Sequence, residues 1–271
     1  MPPAERTRTF RQAVALGLIQ GPSELLPISS SAHTRLIPWL LGWEQPDVLE
    51  GRGRSFELAL HGGACVALAL EMGGPLRREL GGPSSRRVLT GALALGPPAL
   101  AGLALRGTIE ERLSGPRATA GGLLAGALAM ALADRRAVEP GRPAGDAGPL
   151  DGLALGLAQA LALAPGVSRN GATLTVALAR GFGRPAAQHL SWAAGLPVMA
   201  AASALDTPAA LHSASRGGAR VLLGGALAAF LSSRLCARAL AGRLERGALW
   251  PYVIYRCIAA GVIVLGPRRA E

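Results

Sequence analysis

Residues 88–105 form a run of 18 with no ionisable side chain. A helix of that length rises about 27 Å, close to the ~30 Å hydrocarbon core of a bilayer. An amphipathic helix of a soluble bundle would show a polar face recurring every 3.6 residues, and this run has none. Residues 58–72, 118–133, 190–205, 221–233 and 248–266 share the same Ala/Leu/Gly/Val character. About six crossings are expected, with broken segments near residues 13–42 and 150–180. The reading is an all-α integral membrane protein that is polytopic.

Half of the 271 residues are hydrophobic, and the formal charge is +11, carried by arginine alone. The arginines fall in short clusters, Arg77, Arg78, Arg86 and Arg87 and then Arg234, Arg238, Arg243 and Arg246. Cationic breaks between apolar spans are read as topology signals of the positive-inside kind. No zinc-finger, RRM or helix-turn-helix pattern is present, so no nucleic-acid partner is expected. Cys65, Cys236 and Cys257 are odd in number and lie in or near apolar runs, as packing residues do. Residues 1–12 are polar, and the run after them is interrupted by Gln20 and Pro22, so no removable signal peptide is expected.

Laying Gly17 on Gly156 reveals an internal repeat. Gly17, Leu18, Gln20, Ser29 and Thr34 then match Gly156, Leu157, Gln159, Ser168 and Thr173. Each copy runs apolar, meets a proline, passes a small polar knot and turns apolar again. The knots are Pro27-Ile28-Ser29-Ser30-Ser31-Ala32-His33 and Pro165-Gly166-Val167-Ser168-Arg169-Asn170-Gly171-Ala172-Thr173. Paired, Pro/Gly-interrupted hydrophobic segments in corresponding halves point to a site near the bilayer midplane, built from re-entrant or broken helices. The organisation expected is one membrane domain, 1–271, with two inverted repeats. The first covers about 10–133 and the second about 150–266, joined by an exposed Gly/Pro-rich connector at 134–149. Residues 206–218 are read as a second polar loop.

Ionisable groups inside apolar segments are functional candidates because burying them is costly. The first knot offers Glu24 and His33, with Gln20, Ser29, Ser30 and Ser31 around them; the second offers Arg169. A guanidinium beside Ser168, Asn170 and two glycines suits phosphate oxygens, and a helix starting after either knot would add free N–H groups. Ser30 and His33, three apart, share a helical face, the minimal pair for nucleophilic or general-base chemistry. Glu24 is read either as orienting an imidazole or as holding a divalent cation. These groups are expected in one pocket where the repeats meet.

Residues 21–33, Gly-Pro-Ser-Glu-Leu-Leu-Pro-Ile-Ser-Ser-Ser-Ala-His, resemble the E-G-x-x-E-F-L-P-[IV]-S-S-T-G-H motif of undecaprenyl-diphosphate phosphatases of the bacitracin-resistance type. Residues 164–173 are similar to that family's P-G-x-S-R-S-G-A-T motif. Residues 56–64, 191–199 and Tyr255-Arg256 fall where the family has related strings.

The resemblance implies a multi-pass enzyme of the bacterial plasma membrane that removes the terminal phosphate of undecaprenyl diphosphate and so recycles the lipid carrier of cell-wall synthesis. It also implies polyprenyl diphosphate and the lipid bilayer as partners, with a homodimer allowed. Glu24, Ser30, His33 and Arg169 match the catalytic positions. Ser29 and Ser168 match supporting hydroxyls, with Asn170, Gly171 and Thr173 read as substrate-binding. Gln20 stands where the family's first glutamate belongs, and Ala32 replaces a glycine. Two carboxylates four apart would face a cation such as Mg2+ or Ca2+; here Glu24 and Gln20 would form that site with a single charge. Ser30 attacking phosphorus and Ser30 orienting a water both remain open. A non-catalytic polyprenyl-phosphate binding or transport protein is the alternative from another class.

Overall fold

The computed structural model describes residues 3–43, 53–82, 84–113, 115–213, 216–244 and 247–266. Among them the chain forms α1 (Pro3–Leu25), α2 (Ser30–Leu41), α3 (Gly53–Leu80), α4 (Ser85–Leu113) and α5 (Pro116–Arg135), then α6 (Pro149–Leu161), α7 (Arg169–Ala179), α8 (Arg184–Ser213), α9 (Arg216–Leu244) and α10 (Trp250–Leu265). Five helices precede the connector and five follow it. Among the described residues, four stretches are long and apolar enough to cross a membrane: Phe56–Arg78, Ser85–Leu105, Pro116–Arg135 and Gly217–Leu240. Trp250–Leu265 is a shorter apolar helix. In the Ser85–Leu105 window only 11% of residues are buried. Leu100 and Leu103 are 69% and 82% exposed, an apolar surface that suits lipid and not water.

The chain divides into two compact units, each drawing on both halves of the sequence: 1–25, 33–74 and 196–241, and 26–32, 75–195 and 242–271. In the first, α1 lies directly on α9. A Cβ on Gly17 would come 2.3 Å from the Gly225 carbonyl oxygen, and one on Gly21 would come 2.2 Å from Ser232 Oγ. Glycines four apart let two helix backbones approach this closely, and dispersion between them drives association where lipid removes the hydrophobic term. Ala13, Leu16, Phe56, Leu60, Val221 and Ala229 fill the core beside this seam. Cys65 on α3 donates its Sγ–H to the Leu196 carbonyl of α8, in keeping with a buried packing role.

In the second unit α6 packs on α4 in the same way. Gly152 and Gly156 leave room for the Thr90 and Leu93 carbonyls, which an added Cβ would approach to 2.2 and 2.4 Å. Pro97 and Pro98 lie inside α4 and carry no N–H, so the carbonyls of Leu93 and Ala94 lose their helical donors. Gln159 Nε2 donates to the Ala94 carbonyl at 3.0 Å and restores one of them. α5 packs on α10 and α7, and α7 on α6. The helix pairings seen within the two units are thus α1 with α9, α6 with α4, α3 with α8 and α5 with α10.

Two expectations are corrected. Residues 206–213 and 216–218, expected in a polar loop, are helical: α8 continues to Ser213 and α9 begins at Arg216, with residues 214–215 outside those described. Arg234 and Arg238 are not in a hydrophilic break. They project from the apolar helix α9 and pair with Glu71 of α3 at 2.7 and 3.0 Å; Arg246 is outside the described residues. Within the connector, Arg142 N–H donates to the Gly181 carbonyl and Gly183 N–H to the Arg142 carbonyl, and Ala144 and Ala147 are buried.

Candidate functional site

Both polar knots are turns between helices, and each delivers a serine in left-handed backbone geometry. Ser29 has φ 75° and Ser168 φ 70°. A non-glycine residue held there costs about 1–2 kcal/mol, and such strain clusters where function demands it. After each serine a helix starts, α2 at Ser30 and α7 at Arg169, so both knots lie at helix N-termini, the positive ends of the helix dipoles. Ser168 caps α7, its Oγ accepting from the Gly171 N–H at 3.2 Å. Ser29 Oγ lies 3.3 Å from Ser31 Oγ. Ser30 and His33 fall one turn apart on α2, as the spacing predicts.

Arg169 leads α7. Its guanidinium lies 5.2 Å over the Trp192 ring and close to Gly195 of α8, where a Cβ would clash with it at 1.6 Å. Asn170 and Thr173, expected to bind substrate, are buried and turn to α8. The Ser191 hydroxyl donates to Asn170 Oδ1 at 2.7 Å and lies 2.6 Å from Thr173 Oγ1. Thr173 Oγ1 also lies 2.8 Å from the Arg169 carbonyl oxygen and 3.2 Å from that of Asn170, so the cluster ties the first turn of α7, and with it Arg169, to Ser191 of α8.

On α1, Glu24 is 5% exposed and Gln20 fully buried. Gln20 Nε2 donates to Glu24 Oε2 at 3.3 Å, and His61 Nδ1 of α3 lies 3.0 Å from the same oxygen. Gln20 Nε2 and His61 Nδ1 are 3.1 Å apart, an arrangement consistent with both donating to one carboxylate oxygen. Gln20 Oε1 is buried with no hydrogen-bond partner. Nearby, Glu57 of α3 accepts from Thr34 Oγ1 at 3.1 Å and Arg35 Nε at 3.2 Å, locking α2 onto α3.

Sequence reasoning quoted Glu57 and His61 only within a string related to the family's and gave them no role, although their four-residue spacing puts both on one face of α3. It treated Arg256, a lone charge in the apolar helix α10, in the same way. Arg256 is 0% exposed. Its Nη1 donates to the Pro27 carbonyl at 3.1 Å, its Nη2 to those of Gly166 (2.9 Å), Val167 (3.0 Å) and Gly122 (3.2 Å), and its Nε to that of Leu123 (3.2 Å). An ionisable side chain within a 16-residue apolar helix was the signal.

For a divalent cation, no group of three His, Cys, Asp or Glu side chains occurs among the described residues. One carboxylate and the unsatisfied Gln20 Oε1 do offer hard oxygen donors. Mg2+ is commonly held by one or two carboxylates together with substrate phosphates, so the donor set fits an ion shared with a diphosphate better than a protein-only cage.

Apolar helices with lipid-type surfaces, broken by two strained serine turns at helix N-termini, define a polytopic membrane protein. The chain belongs to the bacitracin resistance protein BacA family, whose model matches residues 13–263. It is 38% identical to an undecaprenyl-diphosphatase of Geobacter sulfurreducens over 93% of this chain and 96% of that protein. It is 36% identical to one of Thermomicrobium roseum over 94% and 96%, and 37% identical to one of Chromohalobacter salexigens over 93% and 96%.

Proposed function

We propose that this chain hydrolyses undecaprenyl diphosphate to undecaprenyl phosphate and inorganic phosphate, returning the lipid carrier to cell-wall synthesis at the bacterial plasma membrane. The observation that carries the reading is the pairing of Ser29 and Ser168, two positive-φ serines opening two helix N-termini within the motifs of a family matched over nearly the whole chain.

The residues divide the work by charge. Arg169, with the positive dipole ends of α2 and α7, neutralises the diphosphate, whose negative charges would otherwise repel any nucleophile. Such preorganised donors usually supply the largest share of catalysis. Ser30 Oγ bonds to the terminal phosphorus, or orients a water that does. His33 takes the proton released and returns it to the departing undecaprenyl phosphate oxygen as the P–O bond breaks. In the serine route a water then cleaves the phosphoserine. Asn170 and Thr173 act through Ser191 by holding α7 in place. Glu24 and Gln20 Oε1 would hold a divalent cation shared with the substrate, which when bound supplies further positive charge to the phosphate oxygens. The polyprenyl tail stays in lipid, each buried methylene being worth about 0.8 kcal/mol.

The test is phosphate release by the purified protein in detergent micelles supplied with undecaprenyl diphosphate, with Ser30→Ala and His33→Ala in parallel. Release that both variants abolish supports the assignment. Binding of undecaprenyl phosphate without release by the parent protein would favour the carrier-binding alternative.

A further inference from the structure

We infer that Arg256 is a positioning residue for the reaction: one guanidinium sets the placement of Ser29 and Ser30 together with that of Ser168 and Arg169, by holding the carbonyls that precede both serines. The inference rests on the phosphatase reading for its kinetic consequence and on geometry for the clamp itself.

A residue at φ near +70° breaks the helical ladder, and the carbonyls just before it lose their donors. In the first knot such a carbonyl is that of Pro27; in the second they are those of Gly166 and Val167. Buried away from water, each must find a partner or cost about 1–3 kcal/mol. Arg256 reaches all three, and none of its five acceptors is a carboxylate. The side chain is therefore not half of an ion pair that merely neutralises a charge. A planar guanidinium projects its N–H groups in fixed directions, so tying two turns to one such group fixes each relative to the other. The remaining bonds, to Gly122 and Leu123, anchor the clamp to α5, where Gly122 lets the Pro165 carbonyl approach to 2.2 Å of a hypothetical Cβ.

The structure also supplies a way to move the clamp without removing its charge. A Cβ on Gly126 would fall 2.0 Å from Arg256 Nη2 and 2.9 Å from the Val167 carbonyl oxygen, whereas one on Gly121 of the same helix meets nothing within 4 Å. Gly126→Ala thus displaces the guanidinium, and Gly121→Ala is its control. Arg256→Lys keeps the charge but brings a single ammonium to carbonyls that the guanidinium reaches from three nitrogens.

The experiment measures kcat and KM for undecaprenyl diphosphate in micelles, per folded protein and below each variant's melting transition, with amide hydrogen exchange across residues 28–32 and 167–171. Arg256→Lys and Gly126→Ala are expected to lower kcat about tenfold or more with KM within about threefold, because misplacing reacting groups by about 1 Å can cost 100-fold. Exchange should rise in both knots at once, and Gly121→Ala should match the parent. Parental kcat in folded Arg256→Lys and Gly126→Ala, a loss confined to KM, or faster exchange in only one knot would overturn the inference. A parent that releases no phosphate while the variants still loosen both knots together would refute the phosphatase reading and leave the clamp standing.

Discussion

Replacing Asp151 by asparagine tests how α6 is held at its start. Asp151 lies in the first turn of α6, outside the four membrane spans, with its side chain 4% exposed. Burial by itself would push its carboxyl up. Hydrogen bonds from Arg142 (Nη2 to Oδ2, 3.0 Å), the Gly148 N–H (3.0 Å) and Arg180 Nε outweigh it and bring the pKa from 3.8 to about 2. That gap corresponds to roughly 2 kcal/mol of folded-state stabilisation at neutral pH. The guanidinium partners are each 38% exposed, so solvent screens part of it, and about 1–2 kcal/mol is the expected loss in Asp151→Asn. The sign follows from a depressed folded-state pKa. The stabilisation is complete above about pH 5, shrinks as pH falls through the unfolded value near 3.8, and is gone below about 2. Denaturant unfolding in micelles at pH 7 and at steps down to pH 3 measures it, as a parent-minus-variant difference that narrows with acid. A variant as stable as the parent at pH 7, or a difference that does not change between pH 5 and pH 3, would refute the reasoning.

Arg169→Lys should lower kcat/KM for undecaprenyl diphosphate about 100-fold or more, because an ammonium lacks the two-pronged hold of a guanidinium on phosphate; near-parental turnover would make Arg169 a structural charge. Gln20→Glu places a second carboxylate about 3.3 Å from Glu24 in a buried setting, which demands a cation or a proton between them. The variant should bind Mn2+ more tightly by titration calorimetry and need less metal for half-maximal rate, with KM nearly unchanged; unaltered binding would remove both residues from any metal role. Gly21→Ala forces a Cβ to 2.5 Å from the Ser232 carbonyl carbon and should destabilise the fold by about 1–3 kcal/mol, read as a lower melting temperature beside a neutral Gly261→Ala, whose Cβ meets nothing within 4 Å.

The amino-acid order alone determined the class of molecule. Apolar runs of bilayer length leave a chain no alternative to helices, because unpaired backbone groups cannot be left in hydrocarbon. The prolines and serines of the two knots located the breaks between α1 and α2 and between α6 and α7, since Pro and the small hydroxyl residues act through neighbouring backbone. The family's motifs were equally legible, as they are contiguous strings. Local pattern failed where the deciding partner is distant in sequence. Arg234 and Arg238 read as loop charges until Glu71 of α3 was found beside them, and the polarity that begins at residue 206 did not stop α8 before Ser213.

Only the tertiary structure showed that Gln20 faces Glu24 and His61, that Thr173 and Asn170 turn to Ser191, and that Arg256 joins the two knots. Hydrogen bonds are short-ranged and directional, so a side chain's role is set by which backbone or side-chain atom arrives within about 3 Å. For Arg256 the chain must first place Pro27 and Gly166, far from it in sequence, around one guanidinium. The apolar residues surrounding Arg256 along α10 state that a charge is buried there, and only packing states what it holds.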